Sequence, residues 1–111
     1  LIRVDEHLVD LVVFRSRDLI GHLDRRYLAP LKDLTPKSRQ RLTETAISYI
    51  DHQGNAVEMA RELHIHPQSA RYRMARLREL LGEDLDDPEA RFAIELSLRG
   101  ARDELPAGPA A

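Results

Sequence analysis

The chain has 111 residues, a formal charge of -2 at neutral pH and no cysteine. This length suits one small domain with a single modest core, and the missing cysteines exclude disulfides, thiol catalysis and cysteine-ligated zinc. Because no apolar run approaches the roughly 20 residues that span a bilayer, the sequence predicts a cytoplasmic protein without a membrane segment.

Residues 1–34 are predicted to form an N-terminal helical segment or connector. Asp5 suits the N-cap of a short helix that ends near Phe14, but the valine-rich residues 8–14 also fit the last strand of a preceding domain. We expect a helix there. Apolar side chains recur at helical spacing over residues 17–27, which predicts a second helix in this segment.

Residues 35–101 are predicted to form a helix-turn-helix domain, and the pair Thr35-Pro36 begins its first helix. A threonine cap followed by proline is typical of a helix start, and this helix is expected to end just before Gly54. Its apolar stripe would support the two helices that follow: Leu42, Ala46, Tyr49 and Ile50. The basic residues near its start, which are Lys37, Arg39 and Arg41, fit either solvated surface or phosphate contact.

Residues 55–66 are predicted to hold the first helix and the turn of the helix-turn-helix. Asn55 is a suitable N-cap, and Glu58 stands where it would complete a capping box. The apolar positions of the helix follow spacings of three and four: Ala56, Val57, Met59, Ala60 and Leu63. A turn follows over residues 64–66, where Ile65 is expected to fill the corner between the two helices.

Pro67 begins the second helix, which is predicted to end at Leu81 and to present two different faces. At about 100° per residue, its inward side chains are Ala70, Met74, Leu77 and Leu81. From His66 to Arg78 there are four arginines and no acid, so the outward half is a local basic patch on a negatively charged chain. Arginines, an amide and a hydroxyl near the start of a helix are typical of a recognition helix in the major groove of DNA.

Asp87-Pro88 begins the last helix, which is expected to end near Arg99. Several acids precede it, but they do not form a calcium loop, because the central glycine and the twelfth-position glutamate are missing. Residues 102–111 are rich in proline and glycine and poor in core residues, so they are predicted to form a disordered tail.

The last helix carries apolar side chains on two sides. Phe92 and Leu96 point one way, while Ile94 and Leu98 point nearly the other way. A helix that is apolar on two sides needs two partners. One partner is the core of the domain, and we expect Ile94 and Leu98 to contact the other, either a second copy of the chain or a missing upstream domain.

The residues from Gly54 to Arg99 resemble the C-terminal DNA-binding domain of PucR-type, also called CdaR-type, bacterial transcriptional regulators. The resemblance rests on the Leu-His-Ile-His turn and on the Tyr-Arg-Met of the second helix. Gln68 and Ser69 stand where the family usually has Asn and Thr, and Met74 stands where it usually has Leu. These swaps keep an amide, a hydroxyl and an apolar side chain. The resemblance implies an output domain that binds DNA in a longer regulator whose upstream parts sense a signal.

Two functions fit these patterns. The first is sequence-specific binding of double-stranded DNA by a homodimeric regulator, with the contact residues Gln68, Ser69, Arg71, Tyr72, Arg73, Arg76 and His66. The alternative is a helical protein–protein interaction or dimerisation module that keeps the helix-turn-helix shape and uses Tyr72 as an anchor. The run of arginines without acids favours DNA. Arg73 lies near the apolar boundary of its helix, where an ion pair and a DNA contact are both open.

No metal site, cofactor or enzyme activity is expected. His64 and His66 alternate, but a tight turn does not by itself aim both rings at one ion, and no carboxylate stands at ligand spacing beside them. No glycine-rich elbow or phosphate loop surrounds a candidate nucleophile. The sequence therefore predicts an all-α fold, with a three-helix core that includes the helix-turn-helix, an additional C-terminal helix and no catalytic residue.

Overall fold

The computed structural model describes residues 4–104 of the chain and the side chains of residues 8–100. This part is all-helical, which confirms the predicted fold class and excludes the strand alternative for residues 8–14. The helices are α1 (Val4–Arg15), α2 (Arg17–Tyr27), α3 (Pro36–Asp51), α4 (Ala56–Leu63), α5 (Pro67–Leu81) and α6 (Pro88–Glu104). Short 3-10 turns lie at Ala29–Leu31, between α2 and α3, and at Gly82–Leu85, between α5 and α6.

Side-chain caps begin the last four helices, as the sequence predicts. In each of them a side chain accepts a hydrogen bond from a backbone N–H of the first turn, which would otherwise have no partner. The acceptor and donor pairs are Thr35 with Ser38 (3.1 Å), Asn55 with Glu58 (3.1 Å), His66 with Gln68 (3.0 Å) and Asp87 with Ala90 (2.9 Å). The starts of these helices are therefore determined by local sequence.

The capping box predicted for α4 is incomplete. The backbone N–H of Asn55 donates to the carbonyl of His52 at 3.0 Å, and the carboxylate of Glu58 instead binds Arg61 at 2.9 Å. The chain reverses before Asn55 through two residues of positive φ, Gln53 (53°) and Gly54 (78°). Because the preceding turn already satisfies the Asn55 N–H, Glu58 is free to pair along its own helix.

The main core lies where α3, α4 and α5 meet. Its buried members on these helices are Leu42, Ala46, Tyr49, Met59, Ala60, Ala70, Leu77 and Leu81. Leu28 and Leu31 close this core from the turn after α2, and Leu85 closes it from the turn after α5. Most of the predicted apolar positions are confirmed, but Val57 is exposed.

The predicted partner surface on α6 is corrected. Ile94 and Leu98 are only 0% and 1% exposed and belong to the main core, so they are not available to a second copy or an upstream domain. Phe92, which was expected to face the core, is 61% exposed. The burial pattern shows one broad buried face on α6 instead of two opposed ones.

The N-terminal helices cover the other edge of this buried face. Among the described residues, the most extensive contact between two elements is that of α2 with α6, and α1 also contacts α6. A Cβ added at Gly100 would lie 2.8 Å from Cγ2 of Ile20, so glycine permits the close crossing of α2 and α6. Both partners of α6 are therefore supplied by the chain itself.

Helix α6 continues past its expected end near Arg99 to Glu104, and residues 105–111 of the predicted tail lie outside the described residues.

Candidate nucleic-acid interface

The turn between α4 and α5 sets the angle of the two helices. His64 ends α4 in the left-handed conformation at φ 59°, and the N–H of Ile65 donates back to the carbonyl of Ala60 at 3.0 Å. Ile65 is half-buried against the main core, as expected for a residue that fills the corner. Ala60 is buried, and its small side chain lets the second helix approach closely.

The outward face of α5 begins immediately after this turn. The side chains of Gln68, Ser69, Arg71 and Tyr72 are all exposed, and Tyr72 is 74% exposed. A long contact of 3.5 Å joins Nη1 of Arg71 to Oε1 of Gln68, so both side chains lie together at the start of the helix. Because Ala70 and Leu77 are buried on the opposite side, rotation of α5 about its axis is fixed. The structure thus presents an amide, a hydroxyl, a guanidinium and a phenol on one accessible surface.

One flank of α5 faces the first half of α3. Arg73 is half-buried there and Arg76 is exposed. Arg76 donates to Glu79 at 3.2 Å, one turn further along the helix. Both arginines line an open cavity together with Arg41 of α3.

The other flank carries Arg78, which is exposed but makes contacts within the domain. Its Nη2 donates to the hydroxyl of Tyr49 at 2.6 Å, its Nη1 donates to both carboxylate oxygens of Asp86 at 3.2 Å, and its guanidinium lies 5.7 Å from the centre of the Tyr49 ring. The hydrogen bond to Asp86 raises the pKa of Arg78 further above its ordinary value, and Tyr49 adds to this effect. Arg78 therefore connects α5 to α3 and to the turn after α5. Sequence spacing gave no signal for these contacts, because their partners are distant along the chain.

The comparisons with known proteins identify the family of this domain. Residues 42–100 match the PucR C-terminal helix-turn-helix domain. The chain belongs to this family. The PucR-type domain is a helix-turn-helix regulator domain and not an enzyme domain. The match runs from within α3 to within α6, so it includes the outward face of α5 but begins one residue after Arg41.

Several curated proteins resemble the chain. It is 33% identical over 85 residues to the purine catabolism regulatory protein of Bacillus subtilis, a match that covers 75% of this chain and 16% of that protein. It is 35% identical over 85 residues to an uncharacterized protein of Thermomonospora curvata, covering 77% of this chain and 47% of that protein. An uncharacterized protein of Mycobacterium tuberculosis is 31% identical over 92 residues, which are 83% of this chain and 21% of the relative. The chain thus spans less than half the length of these relatives, and no solved structure matches it significantly.

Two histidines of this PucR-type domain have structural contacts. Nδ1 of His66 accepts the cap bond from Gln68, while Nε2 of His52 lies 3.0 Å from Oε1 of Glu62. The same Glu62 oxygen accepts a hydrogen bond from Ser48 at 2.7 Å, so this cluster joins α3 to α4. Within residues 8–100, no three histidine or acidic side chains gather as a metal site would require. None of the described helices is long and apolar enough to cross a bilayer.

Proposed function

We propose that this PucR-type domain binds double-stranded DNA sequence-specifically as the output domain of a bacterial transcriptional regulator. The observation that carries the proposal is the exposed outward face of α5. Gln68, Ser69, Arg71 and Tyr72 lie together at its N-terminal half, on a helix-turn-helix whose family match includes this face. Major-groove recognition uses this part of a recognition helix.

The side chains divide by the part of DNA that they would contact. Gln68 and Arg71 have the bidentate groups that recognise adenine and guanine edges, and they stand at the start of the outward face. Ser69 would donate or accept at a base or a phosphate, and Tyr72 would contact a thymine methyl or the sugar. Arg73, Arg76 and His66 lie at the margins of the face, where phosphates border the groove.

A longer regulator is part of the same proposal. The chain covers 16% of the Bacillus subtilis protein, whose name describes a regulator of purine catabolism. We propose that an upstream sensory part precedes this domain in the intact protein, which would act in the cytoplasm. We also propose a homodimer, because two copies would present two recognition helices to a palindromic site and combine the binding free energies of two half-sites.

A binding-site selection on the purified chain tests the proposal. Random duplexes are incubated with the chain at low salt, bound molecules are amplified over several rounds, and the selected site is checked by fluorescence anisotropy against scrambled duplexes. We expect a short motif to be enriched and the selected site to bind more tightly than its scrambled version. An unenriched pool and equal binding of all duplexes would reject sequence-specific binding.

The alternative function is a protein–protein interaction module with Tyr72 as its anchor. The 74% exposure of Tyr72 is the observation that favours it, because exposed aromatic side chains are frequent at the centres of protein interfaces. The selection also separates the two functions. A chain without duplex affinity at low salt that still self-associates through Tyr72 would have the alternative function.

A further inference from the structure

An open cavity of about 250 Å³ lies between the first half of α3 and the middle of α5. Ser38 and Arg41 line it from α3, one turn apart, while Tyr72, Arg73 and Arg76 line it from α5. The side chain of Leu42, which is buried in the main core, forms part of its apolar floor. The cavity therefore opens beside the outward face of α5 and has one wall that lies outside the helix-turn-helix pair.

The charge of the cavity is strongly positive. Its lining holds three guanidinium groups and no carboxylate. Among the residues whose side chains are described, Arg41 and Arg73 make no ion pair, and Arg76 has only its pair with Glu79. In that pair the side chains are 45% and 68% exposed, and such surface pairs contribute little binding energy.

Three guanidinium groups around one cavity favour an anion with several oxygen acceptors. Each guanidinium presents a planar set of N–H donors that matches phosphate oxygens, and the hydroxyl of Ser38 adds a neutral donor. The positive end of the α3 dipole acts in the same direction, since Ser38 lies in the first turn of that helix. The walls are fixed by the core, because Leu42 on α3 and Leu77 on α5 are both buried.

We propose that this cavity holds a phosphate of the DNA backbone at the edge of the groove that α5 enters. The inference rests on the proposed function and extends it to a helix outside the helix-turn-helix pair. Arg73 and Arg76 lie on the flank next to Gln68 and Tyr72, so a phosphate in the cavity would border the bases beneath the outward face. Arg41 would then fix the register of the domain along the duplex without contributing to the choice of sequence.

Two matched variants of α3 test the proposal. Arg41→Gln removes a charge inside the cavity, and Arg39→Gln removes the same charge from an exposed position on the same helix that does not line it. Affinities for the selected duplex and for a scrambled duplex are measured by anisotropy over a series of salt concentrations. Thermal unfolding followed by circular dichroism establishes that both variants are folded.

Arg41→Gln is expected to lower the affinity for both duplexes by a similar factor, roughly tenfold at low salt, because a charged hydrogen bond to phosphate is lost. The slope of log K against log salt should become shallower by about 0.9 for each protomer bound. Arg39→Gln should change both quantities much less. Equal effects of the two variants would mean that only net charge matters, and this would overturn the proposal.

A phosphate scan then locates the contact. Duplexes with one uncharged methylphosphonate at successive positions are bound to the wild-type chain, to Arg41→Gln and to Arg73→Gln. At one position, the methylphosphonate is expected to weaken duplex binding by the wild type. It should produce no further loss of affinity in either variant. If the wild type binds the selected duplex and no position shows this coupling, the cavity does not hold a backbone phosphate, although the proposed function stands. If the wild type binds no duplex, the proposed function itself fails.

A last experiment uses inorganic phosphate, because a free anion with the same chemistry as a backbone phosphate would also fit the cavity. Its binding to the wild-type chain is followed by amide chemical shifts around Ser38 and Arg73 in the absence of DNA. Weak binding that a cognate duplex displaces supports the backbone phosphate. Tight binding of inorganic phosphate that the duplex does not displace would overturn the assignment to DNA.

Discussion

Arg71 and Arg78 lie on the same flank of α5, about two turns apart, but they have different surroundings. Arg71 is exposed and makes a long contact with Gln68, whereas Arg78 binds Tyr49 and Asp86. The separation is visible in the sequence, and under the proposed function it predicts that Arg78 lies further from the bases than Arg71. The partners of Arg78 were not predictable, because they depend on how α3 and the turn after α5 fold against the helix.

Arg71→Ala tests the contact with bases. We expect a loss of about 1–3 kcal/mol on the selected site and a relaxed preference at one base position in each half-site, since a bidentate base contact is removed. A competition assay against single-base variants of the site measures both. A variant that binds more weakly but keeps its full sequence preference would place Arg71 on the backbone.

Arg78→Ala should act on stability more than on recognition. The side chain is 45% exposed, so the loss of its hydrogen bonds to Tyr49 and Asp86 is expected to lower the free energy of unfolding by only about 1 kcal/mol. Urea denaturation measures this change, with Arg76→Ala as a control that loses only a surface pair. The base preference of folded Arg78→Ala should equal that of the wild type, and an altered preference would contradict the structural role.

Among the elements, the helix starts were predictable and the packing of α6 was not. Thr35, Asn55, His66 and Asp87 act through atoms only two or three residues away, so short sequence patterns contain the necessary information. The buried face of α6 depends on α1 and α2 as well as on the main core. The sequence placed apolar side chains on this helix correctly but could not show which of them the N-terminal helices would cover.

The crossing of α2 and α6 can be tested at its glycine. Gly100→Ala should destabilise the fold by about 1–3 kcal/mol, because the new Cβ would approach Cγ2 of Ile20 at 2.8 Å, and this strain outweighs the better helix propensity of alanine. Thermal or urea unfolding measures the change. Gly21→Ala is the control, since its Cβ would meet only Nη1 of Arg25 at 3.8 Å.

A second substitution, Ile20→Ala, tests whether the clash with Ile20 causes the destabilisation by Gly100→Ala. In the double variant with Ile20→Ala, the clash partner of Gly100→Ala is absent, so the two changes should show a favourable coupling energy. Strictly additive effects of Ile20→Ala and Gly100→Ala would mean that the close crossing does not limit the residue at this position.

At the scale of the whole molecule, charge is segregated along the chain. The residues from His66 to Arg78 carry four arginines and no acid, while those from Glu79 to Glu95 carry seven acids and one arginine. This segregation was visible in the sequence. The approach of Arg41 to Arg73 and Arg76 was not, because α3 and α5 meet only in the folded chain.

The proposed homodimer needs an interface other than Ile94 and Leu98. The N-terminal helices carry exposed apolar side chains, which are Leu8, Val9, Leu11, Val12, Phe14 and Leu19. On α1, Leu8, Leu11 and Val12 follow the spacing of a single helical face. If the proposed homodimer forms through the described residues, we expect this face to contain its interface. Because α1 packs on α2 and α6, such a dimer would leave α5 accessible to DNA.

Val12→Glu is the variant that tests this interface. We expect the wild-type chain to sediment as a dimer and Val12→Glu as a monomer with an unchanged circular dichroism spectrum, since a charge would be buried in the interface. Phe92→Glu, which alters an exposed apolar residue on α6, is the control and should remain dimeric. A wild type that is monomeric at all concentrations, or a dimer insensitive to Val12→Glu, would contradict the proposal.

On α5, the residues that position the helix differ from those on its outward face, and this separation affects how such regulators can diverge. Ala70, Leu77 and Arg78 hold the helix in place, whereas Gln68 and Arg71 are exposed. Under the proposed function, substitutions at the outward positions would change the preferred operator with little effect on folding. Recognition would then be evolvable separately from stability.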